Sequence, residues 1–130
     1  MEKRLIGGQK LREMGSSRYT DDLDYMIYDE SDSRLFVKEE SGDLINAANH
    51  PFYSEIWKKG ISEQTMLEMA AFTFVQHCMN GFWDKADTKE FDIKFLVRLI
   101  GQDAKVEIVR KYITIGQEEE VNRIISSVKF

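Results

Sequence analysis

Short stretches of alternating apolar and polar residues run through the first half of the chain. Residues 4–6 predict a strand that ends at Gly7-Gly8. Residues 22–28 predict a second strand, in which Asp22 and Asp24 project from the same face because side chains alternate along a strand. The other elements predicted here are a short helix over residues 9–14 and strands over residues 34–38 and 43–47.

The second half shows helical spacing of its apolar residues. Ser62 is a suitable N-cap for a helix that ends at about Met79, and its two apolar stripes predict wide burial. Thr88 and Asp103 are interpreted as the caps of two further helices. In the helix after Thr88, the predicted inward residues are Phe91, Phe95, Leu96, Leu99 and Ile100. In the helix after Asp103, they are Val106, Val109, Tyr112 and Ile113. A last helix is predicted from the spacing of Val121, Ile124, Ile125 and Val128, which are expected to face inward.

This order of elements predicts an α+β fold, in which a small mixed sheet precedes three or four packed helices. The chain has 130 residues, a length that fits one domain. We expect the sheet-rich core within residues 1–50 and the helical part within residues 62–130.

The candidate chemistry lies in the first half, where a glycine pair follows a strand and an Asp-x-Asp follows later. Glycines let a backbone approach a phosphate closely, and a helix N-terminus offers free N–H groups. The carboxylates of Asp22 and Asp24 can share a hard cation such as Mg²⁺. Arg18 precedes them and could neutralise a phosphate. Taken singly, an Asp-x-Asp is more often a solvated strand edge, and a glycine pair is more often a turn.

These residues resemble the nucleotidyltransferase superfamily, which has a DNA polymerase beta-like fold. The likeness is greatest to the AbiEii-type branch, which is associated with toxin–antitoxin and phage-defence systems. Gly7 and Gly8 match its first motif, and Asp22 and Asp24 match its Asp-x-Asp. Arg18 matches the arginine of the family's Arg-x-Ser/Thr-x-Asp pattern, which leads into that pair. Specific motifs cover only about residues 5–25.

The resemblance implies metal-dependent transfer of a nucleotidyl group from a nucleoside triphosphate to an unknown acceptor, for which RNA and protein are both candidates. Asp22 and Asp24 would hold Mg²⁺ or Mn²⁺, while Gly7, Gly8 and Arg18 would bind the nucleotide. Asp43 is the candidate third carboxylate, which would complete the metal site or activate the acceptor. Asp92 matches a late helical motif and is a further candidate for nucleotide binding; the alternative for Asp92 is an ordinary acidic residue near a helix N-terminus.

Departures from the family pattern support an alternative function. Gln9 replaces the small hydroxyl residue that is common after the glycines, and the predicted middle helix has no lysine in residues 67–71. Little chain precedes the first strand, so the family's usual N-terminal helix is missing from this sequence. The alternative is a catalytically degenerate domain that binds a nucleotide or a protein partner.

The charge and cysteine content of the chain limit its expected partners and cellular compartment. Eighteen basic and twenty-three acidic residues give a net charge of −5, which does not attract nucleic acid or anionic membrane over a broad surface. Cys78 is the single cysteine, so no intramolecular disulfide can form. The N-terminus lacks the apolar stretch of a signal peptide or a membrane span. We therefore expect a cytoplasmic protein with no membrane partner.

Three weaker candidates have simpler interpretations. His77 and Cys78 lie in a predicted helix without ligand-like spacing and are expected to pack in it. Trp57-Lys58-Lys59 could contact a nucleic acid, although an anchored tryptophan with solvated lysines is the more common arrangement.

Overall fold

A computed structural model describes all 130 residues and confirms the α+β class. The chain forms two compact units, Met1–Ile61 and Ser62–Phe130. The first unit contains all the strands, and the second is built from helices. None of the helices combines the length and the apolar character that crossing a bilayer requires.

The first unit is a four-stranded mixed sheet with two helices. Its strands are β1 (Arg4–Ile6), β2 (Asp24–Ile27), β3 (Phe36–Glu39) and β4 (Gly42–Asn46), in the spatial order β1-β2-β4-β3. β2 runs antiparallel to β1 and parallel to β4. The helices are α1 (Gly7–Glu13) and α2 (Pro51–Lys59), and a 3₁₀ turn over Ala47–Asn49 leads into α2.

The core of this unit forms where the central strands meet the two helices. Its buried apolar residues include Leu11 of α1, Met26 and Ile27 of β2, and Phe52 and Ile56 of α2. Buried Asn46 at the end of β4 hydrogen-bonds the backbone of residues 29 and 32. The loop between β2 and β3 is thereby held against the parallel pair, because a buried amide group must satisfy its hydrogen-bonding capacity.

The second unit consists of α3 (Glu63–Met79), α4 (Trp83–Ile100) and α5 (Ile115–Ser126), with a 3₁₀ turn over Val109–Lys111 before α5. Ser62 and Thr65 form a reciprocal capping box at the start of α3, as the sequence predicts for Ser62. Ten of the seventeen residues of α3 are buried, which confirms the predicted wide burial. Val121 and Ile124 of α5 are buried, also as predicted.

Two helix predictions in this unit are wrong. Thr88 does not cap a helix; it lies inside α4, which begins at Trp83 and has no side-chain cap. Phe91 and Leu99 of α4 are exposed, while Ile93 and Val97 face the core. Asp103 does not start a helix either, because the backbone between α4 and the 3₁₀ turn has no regular secondary structure.

Candidate functional site

The turn between β1 and α1 brings the glycine pair to the edge of the sheet. The strand ends at Ile6 and the helix begins directly at Gly7, so α1 starts two residues earlier than predicted. Gly7 has a φ of +69°, a conformation that side-chain-bearing residues rarely adopt. A glycine at this position therefore lets the chain pass from strand to helix without an intervening loop.

Gly7 lies directly against the carboxylate of Asp24. A Cβ atom at residue 7 would lie 2.8 Å from Oδ2 of Asp24, closer than Cβ atoms normally approach another heavy atom, so the Asp24 side chain would have to shift. Ile6 and Asp24 are partners in the antiparallel pairing of β1 and β2, which fixes this approach. The two motifs that are separate in the sequence are thus in contact in the fold.

The backbone of β4 holds the other oxygen of the same carboxylate. The amide N–H of Asp43 donates to Oδ1 of Asp24 at 2.8 Å. Gly42 approaches from the same side, since a Cβ there would lie 2.3 Å from the carbonyl oxygen of Leu23 and 2.9 Å from Oδ1. Gly42, which lies between two predicted strands, is thus a site residue, and its position after Ser41 in the sequence gives no signal of this contact.

Gly8 faces the segment that leads into β2. A Cβ at residue 8 would lie 2.5 Å from Cγ2 of Thr20 and 3.1 Å from Nη2 of Arg18. Gln9, which departs from the family pattern, donates from Nε2 to the carbonyl oxygen of Thr20 at 2.7 Å. The start of α1 and the lead-in segment are therefore packed together, with the Arg18 guanidinium beside the glycine pair.

Asp22 and Asp43 flank Asp24 in different ways. Asp22 is exposed and precedes β2, so the strand begins two residues later than the sequence predicts. Its backbone N–H donates to Oγ1 of Thr20 at 3.4 Å. Asp43 lies on β4 next to the registered pair of Tyr25 and Leu44. The Asp43 side chain is half exposed and lies 3.7 Å from Nζ of Lys38.

Asp22 and Asp24 could hold a divalent cation only together with ligands from a substrate or water. No three His, Cys, Asp or Glu side chains converge in a group that could hold a metal ion by themselves. Mg²⁺, however, is usually held in proteins by one or two carboxylates together with substrate phosphates and water. Asp22 and Asp24 are acidic, close in sequence and partly or fully accessible, so they fit this type of site.

Asp92 belongs to the helical unit and is fully buried on α4. It lies in the middle of the helix, so the alternative that it is an acidic residue near a helix N-terminus is wrong. Nζ of Lys89 lies 3.8 Å from its Oδ2, which provides the charged partner that a buried carboxylate requires. Its contribution to nucleotide binding stays a prediction.

Glu68 of α3 is a second fully buried carboxylate, which the sequence analysis did not single out. It accepts hydrogen bonds from the backbone N–H groups of Glu107, Ile108 and Val109 at 2.8–3.1 Å and from Nε2 of Gln64 at 2.7 Å. The sequence does give an indication of this role, because an acidic residue inside a helix that is buried on most sides needs hydrogen-bond donors. Because Glu68 satisfies these donors, the segment before the 3₁₀ turn needs no helix of its own.

His77 and Cys78 are neighbours on α3, and both are partly buried. Burial lowers the pKa of His77, and the nearby Lys89 and Lys85 lower it further. Burial raises the pKa of the Cys78 thiol, and Glu120, Asp87 and Glu90 add to the rise, so the thiolate is disfavoured. Both residues therefore suit the packing role that the sequence predicts for them.

Comparison of the chain with protein-family models, with curated proteins and with solved structures gives no match. The geometry around Asp24 is therefore the basis from which a function can be inferred.

Proposed function

We propose that this protein transfers a nucleotidyl group from a nucleoside triphosphate to an acceptor hydroxyl, with release of pyrophosphate, in a reaction that depends on Mg²⁺ or Mn²⁺. The observation that carries the proposal is the contact between Asp24 and Gly7 at the β1–α1 turn. It brings a carboxylate that could bind a cation next to the glycine pair of the first motif. The toxin–antitoxin or phage-defence setting of the family that the sequence resembles is part of this proposal.

Each residue has a distinct role in the proposed reaction. Asp22 and Asp24 supply the carboxylates. Asp24 packs against Gly7, and Thr20 and Arg18 pack against Gly8, so the glycine pair would bind the nucleotide through its backbone beside these side chains. The Arg18 guanidinium, beside Gly8, would contact the phosphates of the nucleotide. When bound, the cation would supply neutralisation of the charge on the triphosphate. Asp43 would orient Asp24 through its backbone N–H, and its carboxylate is the candidate to complete the metal site or to accept the acceptor's proton.

The proposal is tested by incubating the protein with each labelled triphosphate, Mg²⁺ and cell extract, and then separating RNA from protein. Label is expected in one acceptor class when one of the triphosphates is supplied. Digestion of the extract with ribonuclease or protease before the incubation identifies which class it is. Absence of label in every fraction contradicts the proposed transfer.

A degenerate, nucleotide-binding domain is the second candidate function. Two observations favour it: Oδ1 of Asp24 is already hydrogen-bonded to the backbone of Asp43, and α3 contains no lysine. Titration calorimetry with a triphosphate and Mg²⁺ separates the candidates. Binding without transfer indicates the degenerate domain, whereas absence of both leaves a protein partner as the function of this surface.

A further inference from the structure

A basic groove lies along the outer edge of the sheet in the first unit, where β1 meets the end of α2. Its volume is about 400 Å³, and its walls contain the cationic side chains Arg4, Lys10, Lys58 and Lys59. Glu2 is the acidic residue in the lining, so the formal charge of the lining is +3. This concentration of positive charge runs against the net charge of −5 for the whole chain.

Arg4 and Trp57 form a rigid wall of the groove. The Arg4 guanidinium lies 3.5 Å above the Trp57 ring and donates from Nη1 to the Trp57 carbonyl oxygen at 2.7 Å. Nε of Arg4 donates to Glu2 at 2.6 Å, which lowers the pKa of that carboxyl. Arg4 thus neutralises both Glu2 and a carbonyl at the end of α2, two groups that would otherwise repel an anion.

The lysines keep their charge available to a ligand. Lys58 and Lys59 are exposed in the last turn of α2 and have no acidic partner. Lys10 pairs with Glu13 at 3.4 Å, but an exposed pair of this kind is weak and is readily exchanged. Three flexible ammonium groups therefore converge on one concave surface that a fixed arginine lines.

We propose that this groove binds phosphate groups. Lysine ammonium groups bind phosphate as point charges, and the site has no free guanidinium fork for paired recognition of a carboxylate, because Arg4 is engaged by Glu2 and Trp57. Arg4 covers one face of the Trp57 ring, so recognition is electrostatic rather than by base stacking. The phosphates can come from the backbone of a single-stranded nucleic acid or from the polyphosphate of a free nucleotide.

Tryptophan fluorescence provides the test. In a Trp83→Phe background Trp57 is the single tryptophan, and it lies in the groove wall. The titrants are inorganic tripolyphosphate and a short uridine oligonucleotide, each measured at several salt concentrations. We expect saturable quenching or enhancement. In a Lys58→Gln/Lys59→Gln variant, we expect about tenfold weaker binding and, for the oligonucleotide, a salt slope that is smaller by about 1.4.

Two further variants make the result specific. Lys105→Gln/Lys129→Gln removes the same charge from exposed positions of the helical unit and should leave the affinity unchanged. Lys58→Arg/Lys59→Arg keeps the charge at the end of α2 and should keep most of the affinity. Oligonucleotide binding identifies a nucleic acid strand as the source of the phosphates, and binding of tripolyphosphate alone identifies a free nucleotide. The proposal is overturned if neither titrant binds, or if both glutamine pairs weaken binding equally. Since the assay measures binding alone, its outcome is independent of the proposed transfer activity.

Discussion

The Asp24 carboxylate is fixed by backbone on both sides, with Gly7 against Oδ2 and the Asp43 N–H on Oδ1. A carboxylate held in this way keeps one orientation without depending on the rotamers of neighbouring side chains. Such preorganisation is what a metal-binding or phosphate-binding group needs. It also makes the two glycines, Gly7 and Gly42, as important to the geometry as the acid itself.

Gly7→Ala is expected to destabilise the protein by about 2 kcal/mol, because it combines a strained backbone with a contact that displaces Asp24. Urea denaturation measures the free energy of unfolding. Gly116→Ala is the matched control, since a Cβ there meets nothing within 4 Å and its backbone is helical. Equal effects of the two substitutions would show that Gly7 is not tightly packed against Asp24.

Glu68→Gln is expected to lower the free energy of unfolding by about 3 kcal/mol. In the native protein both carboxylate oxygens accept from backbone N–H groups, and in the variant an amide NH₂ would face some of these donors. Chemical denaturation and hydrogen exchange of residues 107–109 measure the effect. Glu119→Gln, at an exposed position of α5, should change stability by less than about 0.5 kcal/mol. Unchanged protection of residues 107–109 in Glu68→Gln would contradict the anchoring role.

Among the elements, α4 is the helix whose buried face and first residue cannot be predicted from the spacing of its apolar residues. Its apolar residues populate two overlapping stripes that share Leu96, so the pattern alone does not decide whether Phe91 or Ile93 faces inward. Packing against α3 decides in favour of Ile93. The sequence does not indicate the start of α4, because Phe82, the residue before the helix, is not a capping type. The backbone N–H of Phe82 instead donates a hydrogen bond to the carbonyl oxygen of His77 in the turn between α3 and α4.

Ser62 and Thr88 give a direct contrast between a true cap and a residue that only resembles one. Ser62→Ala should cost about 1 kcal/mol, because it removes half of the capping box of α3. Thr88→Ala should be neutral or stabilising by up to about 0.7 kcal/mol, because Thr88 is a partly exposed residue inside α4 and alanine favours helix. Thermal unfolding of both variants checks this. A loss of stability in Thr88→Ala comparable to that in Ser62→Ala would indicate that Thr88 caps the helix and that α4 begins there.

For the whole molecule, the sequence predicts the class, the four strands and the α3 and α5 helices. It also predicts, from the motifs and their family resemblance, that the glycine pair and Asp24 belong to one site; the antiparallel pairing of β1 and β2 that brings them into contact is visible only in the structure. The contacts of Gly42 and Glu68 could not be predicted in this way. Both depend on how segments distant in the chain approach each other, and a single sequence contains no direct record of that register.

Divalent metal should raise the melting temperature if the carboxylates are metal ligands. A cation that binds only the folded state stabilises it by mass action, by about 2.7 kcal/mol at a hundred times its Kd. Thermal melts with and without Mg²⁺ or Mn²⁺ measure the shift, and an Asp22→Asn/Asp24→Asn variant should lose it. A shift of equal size in that variant would assign the metal to another part of the protein.

The most direct measurement of the central claim is nucleotidyl transfer by the native protein and by Asp24→Asn, with labelled triphosphate, Mg²⁺ and cell extract. The amide keeps the volume of the side chain and can still accept from the Asp43 N–H, but it lacks the charge. We expect transfer by the native protein and by Asp103→Asn, an exposed control in the helical unit, and a loss of about a thousandfold in Asp24→Asn. Transfer that persists in Asp24→Asn, or no transfer by the native protein with any triphosphate, would contradict the account.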